Sequence, residues 1–483
     1  MDFFRLKTPG IAHNAYLLGT NGIGILIDPR RDIDDYIAQA SKANLSIQYV
    51  LQTHRHEDFV MGCRALRDAT GSRVIAGRHP LTAYADQQLD DGEKLTIGGL
   101  TLQALATPGH TPESVSYAVT MNDQPDQVWA VFTGDALFIG ETGRTDLPDE
   151  AKTGENAGLL YDAIHSRILP LGDHVLLYPA HGAGSACGGE IADYDESTIG
   201  FERSYNAVFT LSQQDFIERK LKERLPRPPY FPMMEKLNLD GGKEMPPASH
   251  MQNWLAAKAF HERSPSGIVI DTRLPEAFAG VHIPGSYSLW LAGLPAFGGW
   301  IAATCPDIYL ILERPGDLEP AYKHLARIGI DSVRGGLAGG FEAWRNAGLP
   351  IESTPPISPA DLQAQADLPV LDVRDVGEYA KKGHVGRAYH AFVGYLPDVV
   401  DIVGGAISKD QPFAVTCSVG HRASLAVSML RQAGFRHPMN LLGGMTAWGK
   451  LGFDLKQGRE GTDQEIDQSW MARDFPHAAE LKS

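Results

Sequence analysis

Six side chains able to bind a metal or move a proton, His54, His56, Asp58, His110, Asp135 and His181, fall in four short segments, THRHEDF, TPGHT, TGD and PAHG. Imidazole nitrogens and carboxylate oxygens are the donors that hold zinc, iron and related ions, so the set points to a metal centre. A second chemistry lies far downstream. There Cys417-Ser418-Val419-Gly420-His421-Arg422 joins an apolar run, PFAVT, to a helical one, ASLAVSMLRQAG. A cysteine between a strand end and a helix start lies under converging backbone N–H groups and the positive helix terminus, which favours the thiolate. That loop is expected to act as a nucleophile and to stabilise the outer sulfur of a covalent persulfide, with Arg422 adding positive charge.

The elements that must aim these residues are legible as short apolar runs. YLLG, GIGILID, IQYVLQT, RVIAG, LTLQALAT, QVWAVFTGD and HVLLYPAHG read as strands, and the histidines and aspartates fall where strands end. A rigid sheet can direct ligands from distant sequence to one point from such positions. Between Leu225 and Pro247 the chain carries Pro226, Pro228, Pro229, Pro232, Pro246 and Pro247, and a domain boundary is expected there. Beyond it an internal repeat emerges. Asp271-Thr272-Arg273 matches Asp372-Val373-Arg374, His282 matches His384, and GGFEAW at Gly339 matches GGMTAW at Gly443. The nearly constant offset, about a hundred residues, indicates two copies of one α/β module joined by ESTPPISP at Glu352 to Pro359. The polar tail after Asp454 is expected to be peripheral.

The motifs T-H-x-H-x-D, T-P-G-H-T, T-G-D and P-x-H-G resemble the metallo-β-lactamase superfamily over residues 1–240, which implies a four-layer αββα sandwich with the metal at one edge. Hydrolases of glyoxalase II type continue the first motif to H-x-H-x-D-H, where the last pair helps hold a second zinc; this chain has Phe59 there. Phenylalanine has no lone pair, so a mononuclear centre is expected. Among mononuclear members the chain resembles the persulfide dioxygenases, whose pattern implies one Fe(II) on His54, His110 and Asp135. Two imidazoles and a carboxylate on one face form the facial triad of non-haem Fe(II), with positions left for a substrate sulfur and O2. By the same resemblance His56, Asp58 and His181 orient the ligands or polarise substrate, and Arg144 in GRTD anchors substrate.

The CSVGHR loop, with D-V-R, G-H-V and GGMTAW around it, resembles the active loop of rhodanese sulfurtransferases over residues 357–457. Cys417 and Arg422 would be catalytic, and Ser418, Val419, Gly420 and His421 would line the sulfur. Four residues, Ser418 to His421, separate Cys417 from Arg422, a smaller ring than in the related phosphatases and one suited to sulfur. Asp372 and Arg374 read as a structural ion pair. In the first copy, residues 250–352, the offset puts Arg314 or Glu313 in the place of Cys417, so that module should carry no sulfur. Cys305 precedes its strand, Cys63 reads as packing in VMGCRALRDA, and Cys187 reads as a buried structural thiol, with a persulfide carrier near the metal as the alternative.

The expected architecture is thus α/β and multidomain, a sandwich followed by two rhodanese-like domains. Composition agrees, with 43% hydrophobic and 21% charged residues over 483 positions, more than one core normally supports. A net charge of -16 argues against nucleic-acid or anionic-membrane partners. With no C-x-x-C pair among four cysteines, neither a disulfide framework nor a zinc knuckle is expected. No apolar run spans a bilayer and no secretory signal is evident, so the cytoplasm is expected. The ligands would be a thiol persulfide, O2 and thiosulfate or sulfite, in a homo-oligomer. Two rival functions share the motifs, a glyoxalase II-like zinc thioesterase and a non-catalytic sulfur-sensing or docking protein.

Overall fold

A computed structural model describes residues 1–147, 149–223, 225–304 and 307–458. Cys305 and the tail beyond residue 458 lie outside them. The chain divides into two compact units, one built by Met1–Met245 with Arg327–Gly329, the other by Pro246–Ala326 and residues from Ile330 on. Among the described residues, no helix is long and apolar enough to cross a membrane.

The first unit holds two six-stranded sheets. Strands β1 (Asp2–Thr8), β2 (His13–Thr20), β3 (Ile23–Ile27), β4 (Ser46–Gln52), β5 (Arg73–Gly77) and β6 (Gln87–Leu89) lie side by side in sequence order. The second sheet holds β7 (Lys94–Ile97), β8 (Leu100–Ala106), β9 (Val115–Met121), β10 (Val128–Gly134), β11 (Leu176–Pro179) and β12 (Ser197–Thr198), again in order. Each of the seven runs read as strands lands on one of these; β1, β6, β7, β9 and β12 come in addition.

The period-two alternation of strands decides the layers. Tyr16, Leu18, Ile25 and Ile27 of the first sheet meet Leu102, Ala104, Tyr117 and Phe132 of the second in a core between the sheets. The intervening Ala15, Leu17 and Leu26 face outward onto helices through Tyr36, Ala40 and Leu66. Val131 and Leu177 do the same on the other side, against Leu160, Ile164 and Phe216. Four layers result. Within the stretch Leu225–Pro247, where a domain boundary is expected, a helix at Phe231–Asn238 packs in the first unit and the division falls at Met245. Proline there starts a helix, a position where its missing N–H costs nothing.

The second unit contains two parallel sheets of matching order. In one, β13 (Trp254–Leu255), β14 (Ile268–Asp271), β15 (Tyr287–Ser288), β16 (Ile308–Ile311) and β17 (Val333–Leu337) run β15-β14-β16-β17-β13. In the other, β18 (Val370–Asp372), β19 (Ala388–His390), β20 (Pro412–Thr416) and β21 (His437–Asn440) run β19-β18-β20-β21. The repeat extends to side chains. Arg273 grips Asp271 with Nε–Oδ1 at 2.9 Å and Nη2–Oδ2 at 2.6 Å, and Arg374 grips Asp372 at the same distances. Phe278 stacks on His282, and Tyr379 on His384, each with centroids 3.9 Å apart.

Candidate active sites

In the first unit every candidate donor leaves the C-terminal end of a strand: Thr53–Phe59 after β4, Thr107–His110 after β8, Asp135 after β10, and His181 after β11. Donor atoms of His54, His110 and Asp135 lie within 4.8 Å of one another, and all three residues are buried. Asp135 Oδ2 is 3.4 Å from His110 Nε2 and 3.7 Å from His54 Nε2. Ligands around one ion with bonds of about 2.1 Å lie roughly 3.0–3.4 Å apart, so little adjustment is required.

The two imidazoles are prepared for such an ion by their other nitrogens. His110 Nδ1 donates to the Arg144 carbonyl at 2.8 Å. His54 Nδ1 donates to Thr53 Oγ1 at 3.0 Å, and that hydroxyl donates to Asp28 Oδ2 at 2.8 Å. Both Nε2 atoms therefore keep a lone pair, and both are buried without a hydrogen-bond partner. Such orphaned nitrogens are costly unless something binds them. Burial pushes both imidazoles below their ordinary range, which keeps them neutral, as metal ligation requires. These residues fit a metal ion.

Around them stands a second group. His56, Asp58 and His181 also bring donors within 4.8 Å of one another. His181 sits between carboxylates, Nδ1 at 2.8 Å from Asp135 Oδ1 and Nε2 at 2.9 Å from Asp58 Oδ2. Burial opposes its charge, but Asp135 and Asp58 outweigh that and hold its pKa well above the usual value. Phe59 is fully buried, its ring centroid 4.3 Å from those of His56 and His13.

Two residues here escape sequence reasoning. His13, at the start of β2, is fully buried with ring centroids 5.7 Å from His56 and 5.6 Å from His181. Asn238, on the helix in the proline-rich stretch, donates to the carbonyls of His56 at 2.7 Å and Phe59 at 2.8 Å and accepts from Met61 N–H at 2.9 Å. It fixes the loop that carries His56 and Asp58. Neither belongs to a motif; only a polar residue at a strand start, or within a helix due to be buried, hints at them.

Arg144 is 1% exposed, and its guanidinium is committed to Asp146 at 2.7 and 2.6 Å and to the carbonyls of Ala186 and Pro226. In this geometry it clamps loops and presents its carbonyl to His110. A Cβ on neighbouring Gly143 would stand 2.1 Å from the Asp135 carbonyl, so only glycine lets this loop approach the site. Cys187 is fully buried and its thiol is pushed well up, chiefly by burial, although its sulfur lies within 4.8 Å of donors on Asp135 and His181.

In the second unit Cys417 directly follows β20, and the helix His421–Gln432 begins four residues on. Gly420 N–H donates to Cys417 Sγ at 3.1 Å. Cys417 is buried, while Val419 is half-exposed at the loop crest. Arg422 pairs with Glu378, with Nη1–Oε2 at 2.5 Å and Nη2–Oε1 at 3.0 Å, and Ser418 Oγ donates to the same carboxylate at 2.7 Å. Burial works against the Glu378 charge, yet Arg422 holds it far below the usual range, while burial and Glu378 push Asp375 up to about 6. The positive charge expected of Arg422 is thus largely shared with a carboxylate.

The first copy contributes to this site. Trp290 stands with its ring 4.8 Å from that of His421, and Ser288 Oγ is 2.7 Å from Ser424 Oγ. The residue facing Cys417 across the repeat is corrected. Asp271 pairs with Ile311 as Asp372 pairs with Thr416, so the equivalent of Cys417 is Leu312, not Arg314 or Glu313. The copies differ in length in the crossover before this strand, which a single offset misses. Leucine carries no sulfane sulfur either.

Comparison with known proteins finds a family for each of the two domains that carry these residues. The metallo-beta-lactamase superfamily model matches residues 8–181, and the rhodanese-like domain model matches residues 358–451. The mitochondrial persulfide dioxygenase ETHE1 of Bos taurus is 32% identical over 237 residues, 48% of this chain and 85% of that protein. A hydroxyacylglutathione hydrolase of Dictyostelium discoideum is 31% identical over 163 residues, 33% of this chain and 58% of that protein. A crystal structure of a metallo-beta-lactamase from Staphylococcus aureus subsp. aureus COL superposes with TM-score 0.60 at 26% identity, covering 70% of this chain and 98% of that one. The chain belongs to the ETHE1-type persulfide dioxygenase family of the metallo-beta-lactamase superfamily and carries a rhodanese domain near its C-terminal end.

Proposed function

We propose that the first domain oxidises a low-molecular-weight thiol persulfide to sulfite with O2 at one Fe(II) held by His54, His110 and Asp135, and that Cys417 moves sulfane sulfur between thiosulfate, sulfite and thiols. The observation that carries the first half is the pair of orphaned Nε2 atoms beside Asp135, with Phe59 among the neighbouring imidazoles. A ferrous ion supplies O2 activation and a soft acceptor for the persulfide sulfur. In balance, one persulfide, one O2 and one water give one thiol, one sulfite and two protons. The chain's own residues set the conditions: Thr53, Asp28 and the Arg144 carbonyl fix the imidazoles, buried walls limit water, and the His181–Asp58–Asp135 array holds a proton beside the centre.

At the second site the Cys417 thiolate attacks the outer sulfur of thiosulfate or of a persulfide, sulfite or thiolate leaves, and an acceptor takes that sulfur in the reverse sense. Gly420 N–H and the helix start stabilise the anionic sulfur. The module at residues 250–352 is rhodanese-like without its nucleophile, and the parallel strand order, paired arginines and stacked histidines support that reading. Sulfite released by one site is the acceptor of the other, so fusion raises its effective concentration if the sites can communicate.

The donor set His56, Asp58 and His181 favours one rival, a dizinc thioesterase. Iron and zinc content of anaerobically purified protein, with sulfite formed per O2 consumed, decides between them. One iron per chain and one sulfite per O2 are expected, with loss of both iron and O2 uptake in Asp135→Ala. Two zinc ions and thioester cleavage would replace the proposal.

A further inference from the structure

We propose that the cavity beside the β1–β2 hairpin receives the carboxylate end of the persulfide's carrier thiol, with Arg5 and Lys7 as its cationic contacts and Asp195 as the internal carboxylate it displaces. The inference rests on the persulfide reading above and names the substrate class. The cavity, about 170 Å³, is lined by Arg5, Lys7, His13, His181, Asp193 and Asp195 among others. A cavity of about 150 Å³ admits a benzene-sized group, so there is room here for a short carboxylate arm.

Arg5 and Lys7 alternate with Leu6 on β1 and so share one face. Both converge on Asp195. Lys7 Nζ contacts its carboxylate, Arg5 Nη1 donates to its carbonyl, and Arg5 Nη2 lies 3.8 Å from Oδ2. Asp195 comes from the irregular segment between β11 and β12, and its side chain is 68% exposed. Ion pairs this exposed contribute little, so a carboxylate of a ligand can replace this one at small cost. Asp193 on the same wall disfavours a doubly charged head.

The inner end supplies an independent observation. His13 is fully buried, lines the cavity, and its Nε2 has no hydrogen-bond partner. Such an atom is normally satisfied, and a polar group of the ligand would satisfy it. A carrier held by its carboxylate at Arg5 and Lys7 would extend toward His13 and His181, hence toward the metal donors.

The test compares the persulfide of 3-mercaptopropionate with that of its amide on the full-length, metal-loaded chain. Arg5→Gln combined with Lys7→Gln should shift the acid-to-amide ratio of KM by about tenfold against the acid. Asp195→Asn should lower KM for the acid. Parallel changes for acid and amide, or no change, overturn the proposal. Calorimetric binding of unreactive 3-(methylthio)propionate and its amide reads the pocket without turnover: preference for the acid, lost in the double variant, supports it, and equal binding overturns it. A wild type that prefers the acid in calorimetry yet consumes neither persulfide would instead overturn the persulfide reading.

Discussion

Replacing Asp28 by asparagine exchanges one carboxylate oxygen for an NH2 group and removes one negative charge at nearly constant shape, and the consequence can be followed to the His54, His110 and Asp135 cluster. Asp28 is buried, accepts from Gln52 Nε2 at 2.9 Å and Thr53 N–H at 2.8 Å through Oδ1, and from Thr53 Oγ1 at 2.8 Å through Oδ2. In Asp28→Asn the amide oxygen must stay on the two N–H donors, which turns the NH2 group toward Thr53 Oγ1. That hydroxyl then accepts from the introduced amide and donates to His54 Nδ1, the reverse of its present direction. His54 is left with its proton on Nε2, the nitrogen facing His110 and Asp135, so no lone pair is offered there. Disturbing a ligand's orienting partner typically weakens metal affinity 10- to 100-fold, about 1.4–2.7 kcal/mol. Loss of one charge-assisted bond costs folding about 1.5–3 kcal/mol. The backbone does not object, because Asp28 has φ of 51°, a region asparagine tolerates well. Anaerobic titration with Fe(II) or Zn(II) and thermal denaturation of the metal-free protein separate the two effects. Affinity equal to wild type in a folded variant would refute the relay from Asp28 through Thr53 to His54.

Cys417→Ser should abolish sulfur transfer while O2 uptake with added persulfide stays within about twofold of wild type, measured by thiocyanate formation and an O2 electrode; equal collapse of both would show that the sites are not independent. Gly444→Ala places a Cβ 2.2 Å from the Cys417 carbonyl at φ of 52°, so transfer should fall by at least about tenfold, with a loss of about 1–3 kcal/mol in stability by urea denaturation. Burial opposes ionisation of Asp146, but Arg144 holds its carboxyl down at about 2. A depressed folded pKa stabilises above the unfolded value and fades as pH falls through about 2. Asp146→Asn should therefore lower stability by about 1 kcal/mol near neutrality, with discounting for partial exposure, and the gap from wild type should close between about pH 4 and pH 2.

What can be read in advance follows from how local each signal is. Strand exits, the histidine motifs and the CSVGHR loop are contiguous, so β4, β10, β11 and β20 fall where the apolar runs end. β1, DFFRLKT, alternates too weakly to declare itself and is recognisable only through its pairing with β2. His13 and Asn238 act across long separations in sequence, and nothing beside them marks their destination. Arg144 has contacts that its motif does not announce. The GRTD segment reads as a substrate anchor, yet its guanidinium is consumed by Asp146 and backbone carbonyls, and its carbonyl orients His110. The loop motif displays the charge of Arg422 without the carboxylate that shares it, because Glu378 lies on a separate helix.

The contact between Trp290 and His421, with the Ser288–Ser424 hydrogen bond beside it, bears on whether residues 250–352 could be removed. An aromatic side chain of one module stands against the Cys417 loop of the other, so the first module matters to that loop through its surface whatever chemistry it has of its own. Deleting residues 250–352 would take the Trp290 ring away from His421 and break a buried serine pair, whereas Leu312 makes no such contact among those described. The module without a cysteine at that position thus cannot be cut away without opening one side of the loop that carries Cys417.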